Sequence, residues 1–207
     1  MRLLNLCSGT NSVREPFEAA GWECVNVDWD DKHGPTLCLD ITKWDYKSLY
    51  GPGHFDVVWA SPDCTQYSVA RTTAKTPRNF ERADALVRAC VEIIKYLQPR
   101  RFFLENPDSG LLNHRCCINY LPYVRVDYCM YGKPYRKHTR IWTNMGDTWR
   151  PKLCDRQHLV NGKHEAAAQR GRTQRYCHNF SRDQLHRLPE ALCQEIFDVC
   201  VQRHVMP

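Results

Sequence analysis

The sequence predicts an α/β fold: a doubly wound, mostly parallel sheet. Over the first 145 of its 207 residues, short apolar runs alternate with amphipathic stretches, as in consecutive βαβ units. Residues 79–97 repeat apolar side chains at three- and four-residue spacing, which indicates a helix packed on one face. Gln98-Pro99 follows this stretch, and the proline is expected to end the helix. A parallel sheet with crossover helices accounts for both patterns.

The individual elements follow from the same periodicities. The predicted strands are residues 2–6, 23–27, 37–39, 56–60, 101–104, 124–129 and 140–143. The predicted helices are residues 12–20, residues 79–97, and a last helix from Leu188-Pro189 to about Val201. Residues 144–180 lose this periodicity. We therefore expect a main domain over residues 1–145, a short irregular insert over 146–180, and a C-terminal helix over 181–207 that packs back on the main domain.

Charge is distributed unevenly along the chain, whose net charge is +6. Residues 1–60 hold five Lys or Arg against nine Asp or Glu, whereas residues 121–180 hold twelve against four. The basic middle predicts a groove for a polyanion, and nucleic acid is the first candidate. A solvated basic face is the alternative interpretation of the same count.

The sequence also predicts the cellular compartment. No apolar run approaches the roughly 20 residues that a membrane helix needs, and the first residues turn polar too soon for a signal peptide. We therefore expect no membrane partner and an intracellular, cytoplasmic location. The twelve cysteines are then expected as reduced thiols rather than as disulfides.

Three turns at the ends of predicted strands favour a site for an adenosyl group. Gly9 follows the first strand, Asp28 ends the second about 19 residues later, and Asp40-Ile41 follows the third. A carboxylate at the second position is placed to accept ribose hydroxyls. The residues expected at this site are Leu6, Cys7, Ser8, Gly9, Asp28, Trp29, Asp40, Ile41, Ser61 and Pro62.

A candidate nucleophile follows the fourth strand. Cys64 stands in a polar turn behind Pro62, where the carboxyl ends of parallel strands meet. A buried, unreactive thiol is the alternative interpretation of a lone cysteine. Glu105 follows the fifth strand and offers a carboxylate at the same edge. A nucleophile, a carboxylate and an adenosyl pocket along one edge predict a methyl-transfer site.

Four segments in this order resemble the DNA (cytosine-5) methyltransferase family over nearly the whole chain. They are residues 61–68, which hold the Pro-Cys turn, 105–107 with its Glu-Asn pair, the arginine-bearing strand entry 131–142, and the last helix 188–196. The sequence departs from the family in having one glycine in the cofactor turn and Asp63 in place of a second proline. The chain also lacks the Gly-Asn-Ser that usually precedes the last helix. Its compactness is similar to that of phage and virus members.

The resemblance implies a reaction and its residues. The main domain would be a Rossmann-like S-adenosylmethionine-binding catalytic domain, and DNA the substrate. Cys64 would add to carbon 6 of a flipped cytosine, and Glu105 would stabilise the ring. Arg140 would lie near Cys64 and favour its thiolate, and it would also hold the base and a phosphate. The residues expected to contact DNA are Ser68, Arg71, Lys75, Arg78, Arg136 and His138. The open alternatives are RNA or a free cytosine nucleotide as substrate, and a non-catalytic nucleic-acid-binding subunit.

The insert raises two further expectations. The family's large target-recognition domain should lie here, but only about 40 residues are present, so specificity is expected to be short, weak or supplied by another chain. The insert is also rich in zinc-type ligands, although such clusters arise by chance in a chain with many cysteines and histidines. The predicted zinc ligands are Cys154, His158, His164 and Cys177.

Overall fold

A seven-stranded sheet forms the centre of the protein in the computed structural model, which describes residues 1–71, 74–169 and 178–202. Its strands are β1 (Arg2–Leu6), β2 (Glu23–Asp28), β3 (Leu37–Cys38), β4 (Val57–Ala60), β5 (Arg101–Pro107), β6 (Tyr123–Asp127) and β7 (His138–Thr143). Their order is β3-β2-β1-β4-β5-β7-β6, and within it β7 runs antiparallel to both neighbours. The predicted α/β, mostly parallel, Rossmann-like fold is confirmed.

The position of β1 explains where a ligand can bind. This strand pairs in parallel with β2 on one side and with β4 on the other, so the order of the sheet reverses around it. Ligands of open α/β sheets bind in the crevice at the carboxyl ends of the strands beside such a reversal. The turns after β1 and β4 therefore meet at one edge of the sheet.

The described helices are α1 (Arg14–Ala19), α2 (Phe80–Leu97), α3 (Arg182–His186) and α4 (Glu190–Val201). The side chain of Asn79 caps α2 by accepting a hydrogen bond from the Arg82 backbone N–H at 2.9 Å. Helix α3 begins at Ser181 with a reciprocal capping box to Gln184. Three of these helices match the predicted ones, whereas α3 was not predicted.

Two apolar cores lie on opposite faces of the sheet. Helix α2 packs on one face with Leu4 and Leu6 of β1, and helices α1 and α4 pack on the other with Leu3. Alternate residues of β1 thus enter opposite cores, as the period of a strand requires. Leu192 of α4 is fully buried in the second core, so the C-terminal helix completes the domain.

The strands at the antiparallel end differ from the predicted ones. β5 continues to Pro107 instead of ending at residue 104, because β7 pairs with it as far as Thr139. The predicted strand 124–129 ends at Asp127, where the chain turns into a short 3₁₀ helix, Tyr128–Tyr131. β7 begins two residues earlier than predicted, at His138.

The described part of the insert, residues 146–169, packs along the β6 edge of the sheet. It contains a 3₁₀ turn, Gly146–Thr148, and a small hairpin closed by Val160 and Lys163. Trp149 is buried and donates to Glu195 of α4 at 2.9 Å. The Asp127 backbone N–H donates to Lys152 O at 3.1 Å. Among the described residues, no helix is long and apolar enough to cross a membrane.

Candidate active site

A cavity of about 340 Å³ opens at the carboxyl ends of β1, β4 and β5. It joins the predicted cofactor turn to the predicted nucleophile. Of the predicted residues, those that line it are Cys7, Ser8, Gly9, Asp28, Trp29, Ser61, Pro62, Cys64 and Glu105. The predicted nucleophile and most of the residues predicted to bind the cofactor therefore line one cavity.

The turn after β1 bends sharply toward β2. Cys7 (φ 52°) and Gly9 (φ 47°) both adopt the left-handed backbone conformation, which costs energy in a residue other than glycine. The Gly9 N–H donates to Oδ2 of Asp28 at 2.8 Å, so this carboxylate fixes the turn. The Ser8 hydroxyl beside it is buried without a hydrogen-bond partner, which leaves it available to a ligand.

Three predicted cofactor residues do not line this cavity. Leu6 is fully buried in the core under α2. Asp40 accepts hydrogen bonds from Thr42, and these bonds lower the pKa of its carboxyl group. Ile41 is buried in the same core as Leu6. Asp40 thus caps a local turn, and Leu6 and Ile41 pack in the core.

The turn that carries Cys64 is held from several sides. The Ser61 N–H donates to Leu6 O at 3.1 Å, which ties the turn to β1. The Asn106 side chain donates to Pro62 O at 2.9 Å, which ties the turn to β5. The Cys64 carbonyl accepts from two backbone N–H groups further along the chain, each at 3.0 Å. These bonds fix the backbone on which the thiol stands.

An ion pair between buried Asp84 and half-buried Arg115 supports the end of this turn. The Tyr67 hydroxyl donates to Asp84 of α2 at 2.8 Å, and Arg115 donates to the same carboxylate at 2.5 Å. Burial alone would raise the pKa of Asp84, but the hydrogen bonds from Arg115 and Tyr67 outweigh it and hold the pKa below its ordinary value. Helix α2 is thereby fastened to the segment that begins at Cys64.

The surroundings of Cys64 favour the protonated thiol over the thiolate. Burial raises its pKa to about 11, the positive charge of Lys137 opposes this shift, and the carboxylates of Glu105 and Asp63 add to it. The Lys137 ammonium group also lines the cavity and donates to Leu185 O at 3.1 Å. Glu105 accepts a hydrogen bond from the Tyr128 hydroxyl at 3.2 Å.

Arg140 does not line this cavity, contrary to its predicted role beside Cys64. Its Nε donates to Asp108 Oδ1 at 2.5 Å, and its guanidinium group lies 3.9 Å from the centre of the Tyr123 ring. In the sheet, Arg140 is paired with Asn106 and Ile141 with Glu105, so Arg140 and Glu105 point to opposite faces. Asn106 shares the face of Arg140 and still lines the cavity, so the contacts with Asp108 and Tyr123 are what hold Arg140 away from it.

The predicted DNA-contacting residues fall into two groups. Arg136 and His138 both contact Asp127, at 2.8 and 2.7 Å, so a buried carboxylate holds them. Arg78 donates to the carbonyl oxygens of Gln66 and Ser68, which braces the start of the loop that follows Cys64.

Within that loop the two other basic residues differ in their contacts. Arg71 donates to Thr76 Oγ1 at 2.7 Å and thereby closes the loop on itself. Lys75 is exposed. The oxygens that accept these hydrogen bonds from Arg71 and Arg78 are neutral, so the bonds do not offset the positive charge of either guanidinium group.

Two comparisons identify the family. The model of the C-5 cytosine-specific DNA methylase family matches residues 1–119, more than half of the chain. The probable DNA (cytosine-5)-methyltransferase of Frog virus 3 (isolate Goorha) is 35% identical over 220 residues, which cover 97% of this chain and 100% of the viral protein. The chain belongs to the C-5 cytosine-specific DNA methylase family. As a member it is a DNA (cytosine-5)-methyltransferase, and S-adenosylmethionine is its expected methyl donor.

Solved structures agree on the fold of this methyltransferase. A putative DNA modification methyltransferase from an E. coli prophage has a TM-score of 0.55 at 17% identity and covers 75% of this chain. The Entamoeba histolytica methyltransferase EhMeth has a TM-score of 0.50 at 13% identity and covers 81%. The chain spans 52% and 57% of the lengths of these two proteins.

Sequence reasoning missed several residues that line the methyltransferase cavity. Lys137 lies between two predicted DNA-contacting residues, and strand alternation places it on the face of Ile141 and Glu105. Arg182, Asp183 and His186 reach the cavity from α3. Alternation along β7 could have identified Lys137 if the register had been known, and the Ser181-x-x-Gln184 capping-box pattern could have indicated the start of α3.

Helix α3 is fastened over the cavity by exposed ion pairs. Asp183 accepts from Lys32 Nζ at 2.6 Å, and just after the helix Arg187 donates to Glu15 at 2.7 Å. A hydrogen bond from Lys137 to Leu185 O adds a third contact. The helix thus links β7 to the turn after β2.

The predicted metal ligands of the insert are brought together in part. Cys154, His158 and His164 lie close to one another, and Cys129 joins them. Cys177, the fourth predicted ligand, lies outside the described residues.

Proposed function

We propose that this methyltransferase methylates carbon 5 of cytosine in DNA and that Cys64 forms a transient covalent bond to carbon 6 of the base. One observation carries the proposal: Cys64 and Glu105 share a single cavity with the turn formed by Ser8, Gly9 and Asp28. A nucleophile and a nucleotide-binding turn in one cavity are what methyl transfer to a base requires.

The covalent step solves a chemical problem. Carbon 5 of cytosine is a poor nucleophile, and addition of the Cys64 thiolate to carbon 6 places an electron pair on it. When bound, S-adenosylmethionine supplies an electrophilic methyl group to that carbon. Loss of the carbon 5 proton to a base then expels Cys64 as a thiolate, which restores the aromatic ring and the free protein.

Lys137 and Glu105 have complementary roles in this proposal. A pKa of about 11 makes the Cys64 thiolate scarce at neutral pH, so we expect substrate binding to favour its formation. The Lys137 ammonium group would stabilise this thiolate, a role that the sequence had suggested for Arg140. Glu105, held by Tyr128, would donate a hydrogen bond to ring N3 from its protonated carboxyl group and stabilise the charge that develops there.

The turn after β1 suits the methyl donor. The unpartnered Ser8 hydroxyl and the Asp28 carboxylate line the cavity, and Asp28 keeps further acceptor capacity beyond its hydrogen bonds to Gly9 and Asp30. Trp29, 74% exposed, stands at the same place with an apolar face. We expect these residues to hold the adenosyl and ribose parts of the donor.

DNA binding would use the basic side chains of the loop after Cys64 and of the β7 side. A cytosine within a duplex must leave the stack before a thiol can reach carbon 6. The loop after Cys64, with Ser68, Arg71, Lys75 and Arg78, would close over the flipped nucleotide and contact phosphates. Arg136, His138 and Arg140 would contact the backbone from the β7 side, where acidic partners orient them.

Transfer of a labelled methyl group tests the proposal. S-adenosylmethionine with a labelled methyl group is supplied with mixed-sequence duplex DNA, single-stranded DNA, RNA or dCTP. We expect label on carbon 5 of cytosine in DNA, its loss with Cys64→Ala, and its retention with Cys116→Ala, which removes an exposed thiol instead. Label confined to RNA or dCTP would refute DNA as the substrate.

A mechanism-based trap tests the covalent step separately. In DNA that contains 5-fluorocytosine, the fluorine cannot be removed as a proton is, so the adduct persists after methyl transfer. We expect a protein–DNA complex that survives denaturing electrophoresis and depends on Cys64. Methylation of ordinary DNA without such a complex would overturn the covalent mechanism while leaving the activity intact.

A further inference from the structure

Four metal-ligating side chains converge beside the β6 edge of the sheet, away from the active-site cavity. Cys129 comes from the 3₁₀ helix after β6, and Cys154, His158 and His164 come from the insert. Their ligand atoms all lie within 4.8 Å of one another. In the described parts of the chain, no other group of three or more His, Cys, Asp or Glu side chains has such spacing.

The spacing agrees with tetrahedral zinc. Zn–S bonds of about 2.3 Å and Zn–N bonds of about 2.0–2.1 Å place the ligand atoms of a tetrahedral site roughly 3.3–3.8 Å apart. Cys154 Sγ and His164 Nε2 are 3.4 Å apart, which is already the length of such an edge. Two sulfur and two nitrogen donors are a set that zinc prefers, whereas calcium and magnesium prefer oxygen.

A backbone turn and a hydrogen bond position three of these ligands, His158, His164 and Cys154. A two-residue turn of Asn161 (φ 52°) and Gly162 (φ 70°) reverses the chain between His158 and His164. This Asn-Gly pair in left-handed conformation is the favoured turn of a tight hairpin. On the other side, the Cys154 N–H donates to Asp127 Oδ2 at 2.9 Å, which fixes Cys154 against the end of β6.

Packing alone does not account for the cluster. His158 is exposed, and Cys129, Cys154 and His164 are half-buried, so none of the four fills an apolar core. A chance cluster in a cysteine-rich chain would also not be expected to include ligands from two segments separated by β7. The convergence of both segments therefore points to a shared ligand.

We propose that Cys129, Cys154, His158 and His164 bind one structural zinc ion that anchors the insert to the sheet. Binding displaces the two thiol protons to solvent and leaves four protein ligands around the ion, with no open position for catalysis. Cys129 takes the place that the sequence had given to Cys177. The anchored segment holds Asp127, whose carboxylate orients Arg136 and His138.

Metal analysis tests the site directly. The full chain is purified in a non-thiol reductant, its affinity tag is removed, and zinc is measured by mass spectrometry. We expect about one zinc per chain, reduced at least about five-fold by Cys154→Ser and unchanged by Cys116→Ser. Less than about 0.2 zinc per chain in the unaltered protein, after refolding with added zinc, would overturn the proposal.

Cobalt substitution gives a readout that does not depend on loss of folding. Four-coordinate cobalt with two thiolates absorbs strongly in the visible range and shows sulfur-to-metal charge transfer in the near ultraviolet. The variant His164→Cys keeps four ligands and adds a third thiolate, so its charge-transfer band should grow by about half. A spectrum that lacks this band in both proteins would refute thiolate ligation. The Cys64→Ala variant should bind the metal normally, which separates this test from the test of activity.

Discussion

The raised pKa of Cys64 makes a quantitative prediction about its reactivity. A pKa of about 11 leaves about 0.1% of the thiol ionised at pH 8, against roughly 24% for a solvated cysteine with a pKa of about 8.5. This difference alone slows thiolate chemistry about 240-fold. A more basic thiolate is intrinsically more nucleophilic, and with a Brønsted coefficient of about 0.4–0.5 this raises the rate of the ionised form roughly 10- to 18-fold, which offsets part of the loss. The net expectation is a rate about 20-fold below that of a solvated thiol.

The assay is mixed-disulfide formation with a small neutral disulfide, quenched with acid and followed peptide by peptide in a mass spectrometer. Exposed Cys116 serves as the internal reference for the reagent. Limited access would lower the Cys64 rate by a constant factor, whereas the raised pKa gives a rate that rises about tenfold per pH unit from pH 7 to 10. A plateau near pH 8.5 would refute the reasoning.

Lys137 is the matched perturbation for the same assay. Lys137→Met removes the positive charge that opposes the upward shift, so the pKa of Cys64 should rise further and the reaction at pH 8 should slow. Lys137→Arg keeps the charge and should change the rate much less. Equal rates for the two variants would show that charge at this position does not act on the thiol.

Three further predictions concern stability. Tyr67→Phe removes a buried hydrogen bond to Asp84 and should lower the free energy of unfolding in urea by about 1.5–3 kcal/mol, whereas a loss below about 0.3 kcal/mol would contradict it. The pKa of Asp84 is lowered in the folded state, so its ionised carboxylate stabilises the fold at pH values above the unfolded pKa of about 3.9, and this stabilisation is lost as the pH falls below that value. The difference in urea midpoint between wild type and Asp84→Asn should therefore shrink from pH 7 to pH 3. A difference that stays constant would refute this. Leu192→Ala empties a fully buried position and should cost about 2–5 kcal/mol, so an unchanged melting temperature would contradict the packing of α4.

The elements with a strong local signal could be predicted from sequence. Helix α2 begins within a residue of the predicted start and ends at the predicted residue, because its amphipathic period, its Asn79 cap and the following Pro99 all act locally. Cys64 and Glu105 could be placed in one site because the carboxyl ends of neighbouring parallel strands must meet at one edge of the sheet.

The features that could not be located from sequence depend on contacts between distant parts of the chain. Arg140 and Lys137 are three residues apart, and the register of β7 against β5 decides which of them lies on the face of Glu105. A shift by one residue would exchange the two faces, and no local signal fixes that register. Cys129 was hidden inside a predicted strand, and α3 is too short to show a period. Long-range contacts decide these features.

The ion pairs that fasten α3 have a consequence for experiments at different ionic strengths. The pairs Lys32–Asp183 and Arg187–Glu15 are exposed, so each is weak and is screened by salt over distances of about 8 Å under physiological conditions. Added salt would therefore weaken the attachment of α3 over the cavity, and it would also weaken the contacts between the protein and DNA phosphates. The salt dependence of methylation would then be steeper than that of DNA binding, and counting phosphates from the methylation slope would overestimate them.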